Sequence, residues 1–358
     1  MNHYGVIMAG GGGTRFWPLS RQKTPKQLLN LSGKELMVNE AVERMATVIG
    51  KSNIFIVTAD VQAPAMLTAT QGKVFPRNIL AEPAARNTAA CIGYSAMEIL
   101  RKYGDGVMII TPADHYIEDV PALTEIFKTA IITAETEDKL VTIGLKPTFP
   151  STGFGYIKYD AEKEGSVKPV VEFREKPDEE TARKYVESGE YAWNSGMFIW
   201  KASLILEKLK EYTPDIYEDL KTIGDAMNTS SEQEVLHEVY PNIRKISIDY
   251  AVMEPCASKG DVLVIPGDCG WNDVGSWDMM DILHEPDDTG NVLLGDVTAI
   301  GVKDSVIYSS GRIVTALDVD NIVIVETPDA VMVCRKDKAQ DVKKIVDALK
   351  EAERDELL

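Results

Sequence analysis

From residue 4 to residue 115, short β-branched runs alternate with longer stretches of helical period: YGVIM, a helical pattern from Glu35 to Val48, NIFIVT, a second near Ala63, NIL, NTAACIGYSAMEILRKY and GVMIITPADH. Parallel neighbours in a sheet need a crossover long enough to hold a helix, so this rhythm predicts a parallel sheet covered by helices on both faces. Further strands are expected at Leu140 to Leu145, Phe154 to Tyr159, Val167 to Phe173 and Gly196 to Trp200, and the stretch from Ala202 to Tyr240 turns helical and charged. After HEPDDTGN the character changes to short strand-like runs from Val292 to Val333, punctuated by KDS, SSGR and DVDN and closed by an amphipathic helix from about Asp337 to Glu353. The expected fold class is α/β. A mostly parallel, Rossmann-like sheet occupies residues 1–285, and a small all-β, β-helix-like segment with a terminal helix occupies residues 286–358, the boundary falling near Pro286.

Charge restricts the partners. Acidic residues outnumber basic ones, 56 against 38, for a net charge of -18. That field repels polyanions over most of the surface and argues against nucleic acid or an anionic membrane, so any anion must be bound at a local basic site. Cys91, Cys256, Cys269 and Cys334 are scattered without metal-ligand spacing, which suits free thiols in a reducing compartment and gives no readable zinc site. Tyr4 to Met8 is too short for the apolar core of a signal peptide, and no stretch approaches a membrane span. A cytoplasmic protein is expected.

The local basic site is found at the first strand-to-helix connection, VIMAGGGGTRFWPLSRQKTPKQLL. In an open α/β sheet this loop lies beyond the carboxyl end of a strand, where ligands bind. Glycines let the backbone approach a phosphate and turn several N–H groups toward it. Neither familiar phosphate motif fits. A P-loop or a dinucleotide fingerprint beginning at Gly10 would need glycine where Arg15 stands. A guanidinium there can clamp phosphate oxygens bidentately, and Pro25 restricts the backbone that aims Lys26. A merely flexible turn with solvated Arg and Lys is the plain alternative.

GGGGTRFWPLSRQKTPKQL matches the G-G-x-G-x-R-x-x-P-L-[ST] opening, followed by P-K, of the sugar-1-phosphate nucleotidyltransferase family, and resembles its mannose-1-phosphate guanylyltransferase branch. The resemblance continues in order through EPAARNTAA, PADH, GFGYI, FREKP, WNSGMF, SIDYAVME and GWNDVGSW, over roughly residues 4 to 280. DNIVIVETPDAVMVCRK also looks like the end of these enzymes, and the chain is expected to lack the fused phosphomannose isomerase domain of longer members.

What the resemblance implies is transfer of GMP from GTP to mannose 1-phosphate, giving GDP-mannose and pyrophosphate, with Mg2+ as cofactor. By the same resemblance Arg15 and Lys26 hold the GTP phosphates, and Lys176 holds the phosphate of mannose 1-phosphate. The nucleotide lies along Ala9, Gly10, Gly11, Gly12, Gly13, Thr14, Glu82, Pro83, Asn87, Thr88 and Asp114. Gly155, Tyr156, Glu175, Lys176, Asn194 and Ser195 face the sugar, and Asp114 and Asp273 bind the metal. Guanine presents N1–H and an N2 amino group, both donors, which suits a carboxylate such as Glu82; Glu82 as a surface residue before a turn remains open. His115 is given a supporting role, because a phosphate-monoester nucleophile is already ionised and needs no base. Trp193, Phe198 and Trp200 are expected to pack, with a bulge at Gly196.

Other readings stay in view. One is guanylyl transfer to another hexose 1-phosphate. Another is a non-catalytic regulatory homologue that binds sugar nucleotide, whose expected mark is loss of Arg15, Lys26, Asp114 or Asp273; all four are present. A nicotinamide-dependent dehydrogenase is disfavoured by Arg15. For the C-terminal β segment three roles are open: covering the sheet, forming a homodimer interface, or approaching a neighbouring subunit's site.

Overall fold

A computed structural model describes residues Met1–Leu358. Its main sheet has nine strands: β1 (Asn2–Ala9), β2 (Ile54–Ala59), β3 (Ile79–Glu82), β4 (Gly106–Pro112), β6 (Leu140–Leu145), β7 (Tyr156–Tyr159), β8 (Lys168–Arg174), β9 (Tyr191–Lys201) and β10 (Val262–Gly267). A separate short ribbon pairs β5 (Tyr116–Ile117) with β11 (Trp271–Asn272). The order across the main sheet is β3-β2-β1-β4-β9-β6-β10-β8-β7. β1 to β4 are parallel, as the strand–helix rhythm requires. The sheet as a whole is mixed, because β8 and β9 run against the other seven strands. β9 is inserted between β4 and β6, antiparallel to both, and begins at Tyr191, ahead of the expected Gly196. Gly196 sits at φ +70 within it, and that kink hides the first half of the strand from a period-two reading.

Successive residues of β1 point to opposite faces and join different cores. Val6, with Phe55 and Val57, packs against the helices Asn87–Lys102 and Ala202–Tyr212. Ile7, with Ile54 and Ile56, packs against Met37–Met45 and Val120–Thr136. No helix is long and apolar enough to cross a membrane.

The C-terminal segment stacks β12 (Val292–Leu294), β14 (Val306–Ser309) and β16 (Ile322–Glu326) in parallel, with Val292, Val306 and Val323 in register. β13 (Val297–Ile300) pairs in parallel with β15 (Val314–Leu317), as successive coils of a β-helix do, and β17 (Val331–Arg335) closes the stack antiparallel to β16. The expected terminal helix is split into a 3-10 stretch, Lys336–Val342, and an α-helix, Lys343–Glu351. The segment shares a core with the N-terminal loop: Val292, Val306, Val323 and Val346 pack with Phe16, Trp17, Val274 and Trp277. Trp17 Nε1 donates to the carbonyl of Leu357 at 2.8 Å, and Arg21 pairs with Asp329 at 2.9 Å.

Candidate active site

β1 ends at Ala9 and the glycines follow without regular structure. Gly13 stands at φ +59, and a Cβ there would come within 2.4 Å of the Cβ of Lys26, so only glycine fits. Gln27 is fully buried; its Nε2 donates to the carbonyls of Ala9 and Gly11, and Thr58 Oγ1 donates to Ala9 O at 3.1 Å. With those carbonyls turned inward, the N–H groups of Gly11, Gly12 and Gly13 meet no acceptor in the protein, and Gly11 faces open space. The result is an anion-binding concavity. Gln27 carries no motif role; its only sequence signal is its place directly after Lys26 in PKQL.

Lys26 is 5% exposed. Its ammonium donates to Asp114 O at 2.8 Å, Asp114 Oδ2 at 3.0 Å and Asp273 O at 2.6 Å. One side chain thus joins the end of β4 to the turn after β11 and brings the two expected metal carboxylates together. All three of its N–H donors meet protein oxygens, so Lys26 is a keystone between the two aspartates. Burial pushes the Asp114 carboxyl up, but the Lys26 ammonium, by its charge and its hydrogen bond, outweighs it and holds the group below its usual range. Asp273 goes the other way: burial raises it, Lys26 opposes, and the Asp114 charge adds to the rise. Arg15 is exposed and unpaired at the rim. Gly13, Arg15, Lys26, Asp114 and Asp273 line one cleft of about 280 Å³.

His115 is held neutral, its pKa lowered to about 4 chiefly by burial. Trp271 Nε1 donates to its Nδ1 at 3.0 Å, and Arg44 donates to its carbonyl at 2.9 Å. That is the supporting role expected of it.

Glu82 is not a surface residue: it is 6% exposed, Tyr240 OH donates to its Oε1, and its Oε2 lies 3.0 Å from where a Cβ on Gly10 would be. Burial lifts its pKa to about 7. Glu82 braces the glycine loop from below. Pro83 leads from it to Asn87, which is exposed at φ +67 and opens the helix Asn87–Lys102. Asn87 Oδ1 accepts the Thr88 N–H at 2.8 Å, while Thr88 Oγ1 accepts the Ile248 N–H at 2.8 Å, tying this helix start to the segment that carries Asp249.

Lys176 does not reach the Lys26 cleft. It lines a second opening with Glu175 and Tyr250, at φ +45, its Nζ 3.0 Å from Glu175 Oε1. Gly155, Glu175 and Asn194 do converge: a Cβ on Gly155 would lie 2.6 Å from Glu175 Oε2 and 3.2 Å from Asn194 Cβ. Asn194 Nδ2 donates to Asp249 Oδ1 at 2.9 Å, and burial together with the Glu175 charge pushes the Asp249 pKa up to about 7. Asp249, which opens the π-helical turn Asp249–Met253, was missed as a site residue. The signal was a single acid in the otherwise apolar part of SIDYAVM. Two side chains expected to face the sugar are engaged within the protein. Tyr156 is fully buried with its OH on Ser151 O at 3.0 Å, and Ser195 is 2% exposed, donating to Ile143 O at 2.8 Å and accepting from Met197 N at 3.1 Å. Both are committed to the sheet.

Asp114 and Asp273 suit a hard divalent cation that completes its shell with phosphate and water oxygens. No three His, Cys, Asp or Glu side chains form a cage by themselves.

The chain is similar to known proteins in sequence and in fold. The nucleotidyl transferase family model matches residues 4–285, and the MannoseP isomerase/GMP-like beta-helix domain matches residues 295–349. The xanthan biosynthesis protein XanB of Xanthomonas campestris pv. campestris is 41% identical over 353 residues, 98% of this chain and 74% of that protein. Mannose-1-phosphate guanylyltransferase RfbM of Salmonella typhimurium is 40% identical over 362 residues, 99% of this chain and 74% of that one. A crystal structure from Thermus thermophilus, described as a mannose-1-phosphate geranyltransferase, superposes with a TM-score of 0.87 at 32% identity, covering 98% of this chain and 100% of that one. With a family model spanning most of its length and relatives about 40% identical across nearly all of it, this chain belongs to the nucleotidyl transferase family, beside the mannose-1-phosphate guanylyltransferases.

Proposed function

We propose that the chain transfers GMP from GTP to mannose 1-phosphate, releasing pyrophosphate and GDP-mannose, in the cytoplasm. The observation that carries this reading is the three-way contact of Lys26 with Asp114 and Asp273, which assembles a cationic and acidic centre at the mouth of a bare glycine loop. A sugar phosphate oxygen attacks the α-phosphorus of GTP in line, and the bond to the departing pyrophosphate breaks; positioning and charge stabilisation do the work. The free N–H groups of Gly11, Gly12 and Gly13 bind the triphosphate. Arg15, unpaired at the rim, clamps the pyrophosphate oxygens as negative charge accumulates on them. Lys26 keeps the two aspartates together and lowers the repulsion between the two reactants. Asp114 and Asp273 would hold Mg2+, which when bound would supply charge neutralisation and orientation for the phosphates. On the other side Lys176 takes the sugar phosphate, and Glu175, Asn194 and Asp249 take the hydroxyls. With its pKa near 7, Asp249 can donate a hydrogen bond as well as accept one, which suits a neutral ring hydroxyl. Residues 1–285 are the catalytic domain in this reading, and residues 286–358 brace it.

The test is pyrophosphate release by the purified chain, with four nucleoside triphosphates set against several hexose 1-phosphates. GTP with mannose 1-phosphate should be the fastest pair and should need a divalent cation. Preference for another base, or no release from any pair, sinks the reading.

A further inference from the structure

The turn that carries Asp273 is held in a conformation its own residues resist. Val274 sits at φ +43, where a β-branched side chain is an outlier, yet that side chain is completely buried. Such strain survives only where the surroundings over-determine it. Three polar contacts do so here. Asn272 Oδ1 accepts the Val274 N–H at 2.7 Å, Lys26 Nζ donates to Asp273 O at 2.6 Å, and Gln340 Nε2 donates to Ser276 Oγ at 2.7 Å. The first two belong to the catalytic half of the chain. The third is delivered by the 3-10 stretch Lys336–Val342 of the C-terminal segment.

Gln340 is exposed, but its base is fixed, because Ala339 and Val342 are buried in the core that also holds Val274 and Trp277. Its amide lies close to the chemistry: a Cβ on Gly275 would stand 3.4 Å from Asp273 Oδ2 and 3.7 Å from Gln340 Nε2. Ser276 is wholly buried and gives its own proton to Asp278. As an acceptor it has only Gln340, so deleting that amide frees the turn while the Ser276 hydroxyl keeps its bond to Asp278.

We propose that Gln340 is a positioning residue for Asp273: acting through Ser276, the C-terminal segment clamps the strained Asp273–Ser276 turn and sets the carboxylate for a divalent cation. This rests on the reading of Asp273 as a metal carboxylate, and it gives a task to a segment that carries no chemistry of its own.

The test uses the full chain as parent, Gln340→Ala, Ser276→Ala and the double variant. Mn2+ alone is titrated and the free ion followed by electron paramagnetic resonance, beside melting temperatures and the Mg2+ dependence of pyrophosphate release. Gln340→Ala should weaken Mn2+ binding about tenfold, the low end for removing a partner behind a metal ligand, with the melting temperature unmoved. The Mg2+ concentration for half-maximal rate should rise by a similar factor while kcat at saturating Mg2+ stays within about twofold. The double variant should be no weaker than the weaker single, since both cut one bond. Unchanged Mn2+ affinity in Gln340→Ala, additive losses in the double variant, a melting temperature that falls in step with affinity, or a parent that binds no Mn2+ would each overturn the proposal. If the Mn2+ pattern appears but GTP and mannose 1-phosphate release no pyrophosphate, the functional reading fails and the clamp stands.

Discussion

Around Lys26 one buried ammonium faces the oxygens of two aspartates, whereas around Asp249 two carboxyls share a single exposed lysine, Lys176. Burial acts on both groups of acids alike and favours their neutral form. In the first cleft the cation outweighs it at Asp114, which stays ionised in acid, though not at Asp273, where burial prevails. In the second it does not, and the Asp249 pKa rises to about 7. The same side chain is thereby made an anion in one place and a hydrogen-bond donor in the other. The first state suits phosphates and a metal; the second suits the hydroxyls of a neutral ring.

The sharpest way to break this contrast is to remove its cation. Lys26→Ala leaves Asp114 and Asp273 facing each other without a counter-charge. Pyrophosphate release should fall by roughly a hundredfold or more, and stability by about 1–3 kcal/mol, less than for a fully buried pair because Asp114 is half-exposed. Lys176→Ala should instead raise KM for the sugar phosphate and leave the melting temperature alone, because that lysine is 56% exposed. Equal losses of stability in the two variants would show that the clefts do not differ as described.

Next in size is the loop itself. Gly13→Ala forces a side chain into Lys26 at a positive φ and should cost about 1–3 kcal/mol, read by denaturant unfolding. Gly11→Ala meets nothing within 4 Å and should leave stability unchanged while raising KM for GTP.

These variants follow a division in what the sequence made legible. Arg15, Lys26, Asp114 and Asp273 are readable because the glycine opening, PADH and GWNDVG are local strings. That one lysine joins Asp114 to Asp273 is not readable, since its partners lie 88 and 247 residues away along the chain. Motif membership also does not say which atom faces a ligand. Tyr156 and Ser195 lie inside motifs expected to face the sugar, yet alternation along a buried strand turns their side chains into the protein. Gln27 and Asp249 escaped because an amide or acid in an apolar run looks the same whether it is a surface residue or a buried brace. The parallel half of the sheet follows from its crossovers. The reversal of β9 depends on long-range pairing with β4 and β6, for which no local pattern exists, and the β-helix was readable as strands while the core it shares with Phe16 and Trp17 was not.

A smaller effect tests the charge states directly. Asp249 binds a proton in the folded chain up to about pH 7 but releases it near 3.8 when unfolded, so its contribution to stability is present at low pH and is lost as pH rises toward 7. Asp249→Asn keeps an acceptor for Asn194 and has no proton to lose. Its melting temperature should gain on the parent between about pH 4 and pH 7 and hold that gain above. Asp114 has the opposite sign: its folded pKa is depressed, so its contribution is present above the unfolded value and is lost in acid, and Asp114→Asn should lose ground to the parent as pH rises from acid. The same slope for both variants would refute the contrast.

The smallest expected effect belongs to the brace beneath the glycine loop. Tyr240 OH donates to Glu82 Oε1 and lowers the pKa of Glu82, while burial, the stronger influence, lifts it to about 7. A hydrogen bond favours the ionised acceptor over the neutral one. Tyr240→Phe should therefore cost about 1 kcal/mol, more at pH 8.5, where Glu82 is ionised in the fold, than at pH 5.5, where it is not. Because the other oxygen of Glu82 lies beneath Gly10, the variant should also raise KM for GTP slightly and leave KM for the sugar phosphate alone. A cost that is the same at both pH values would mean that Tyr240 fills space beside Glu82 without stabilising its charge, and the state of Glu82 would then be set by burial alone.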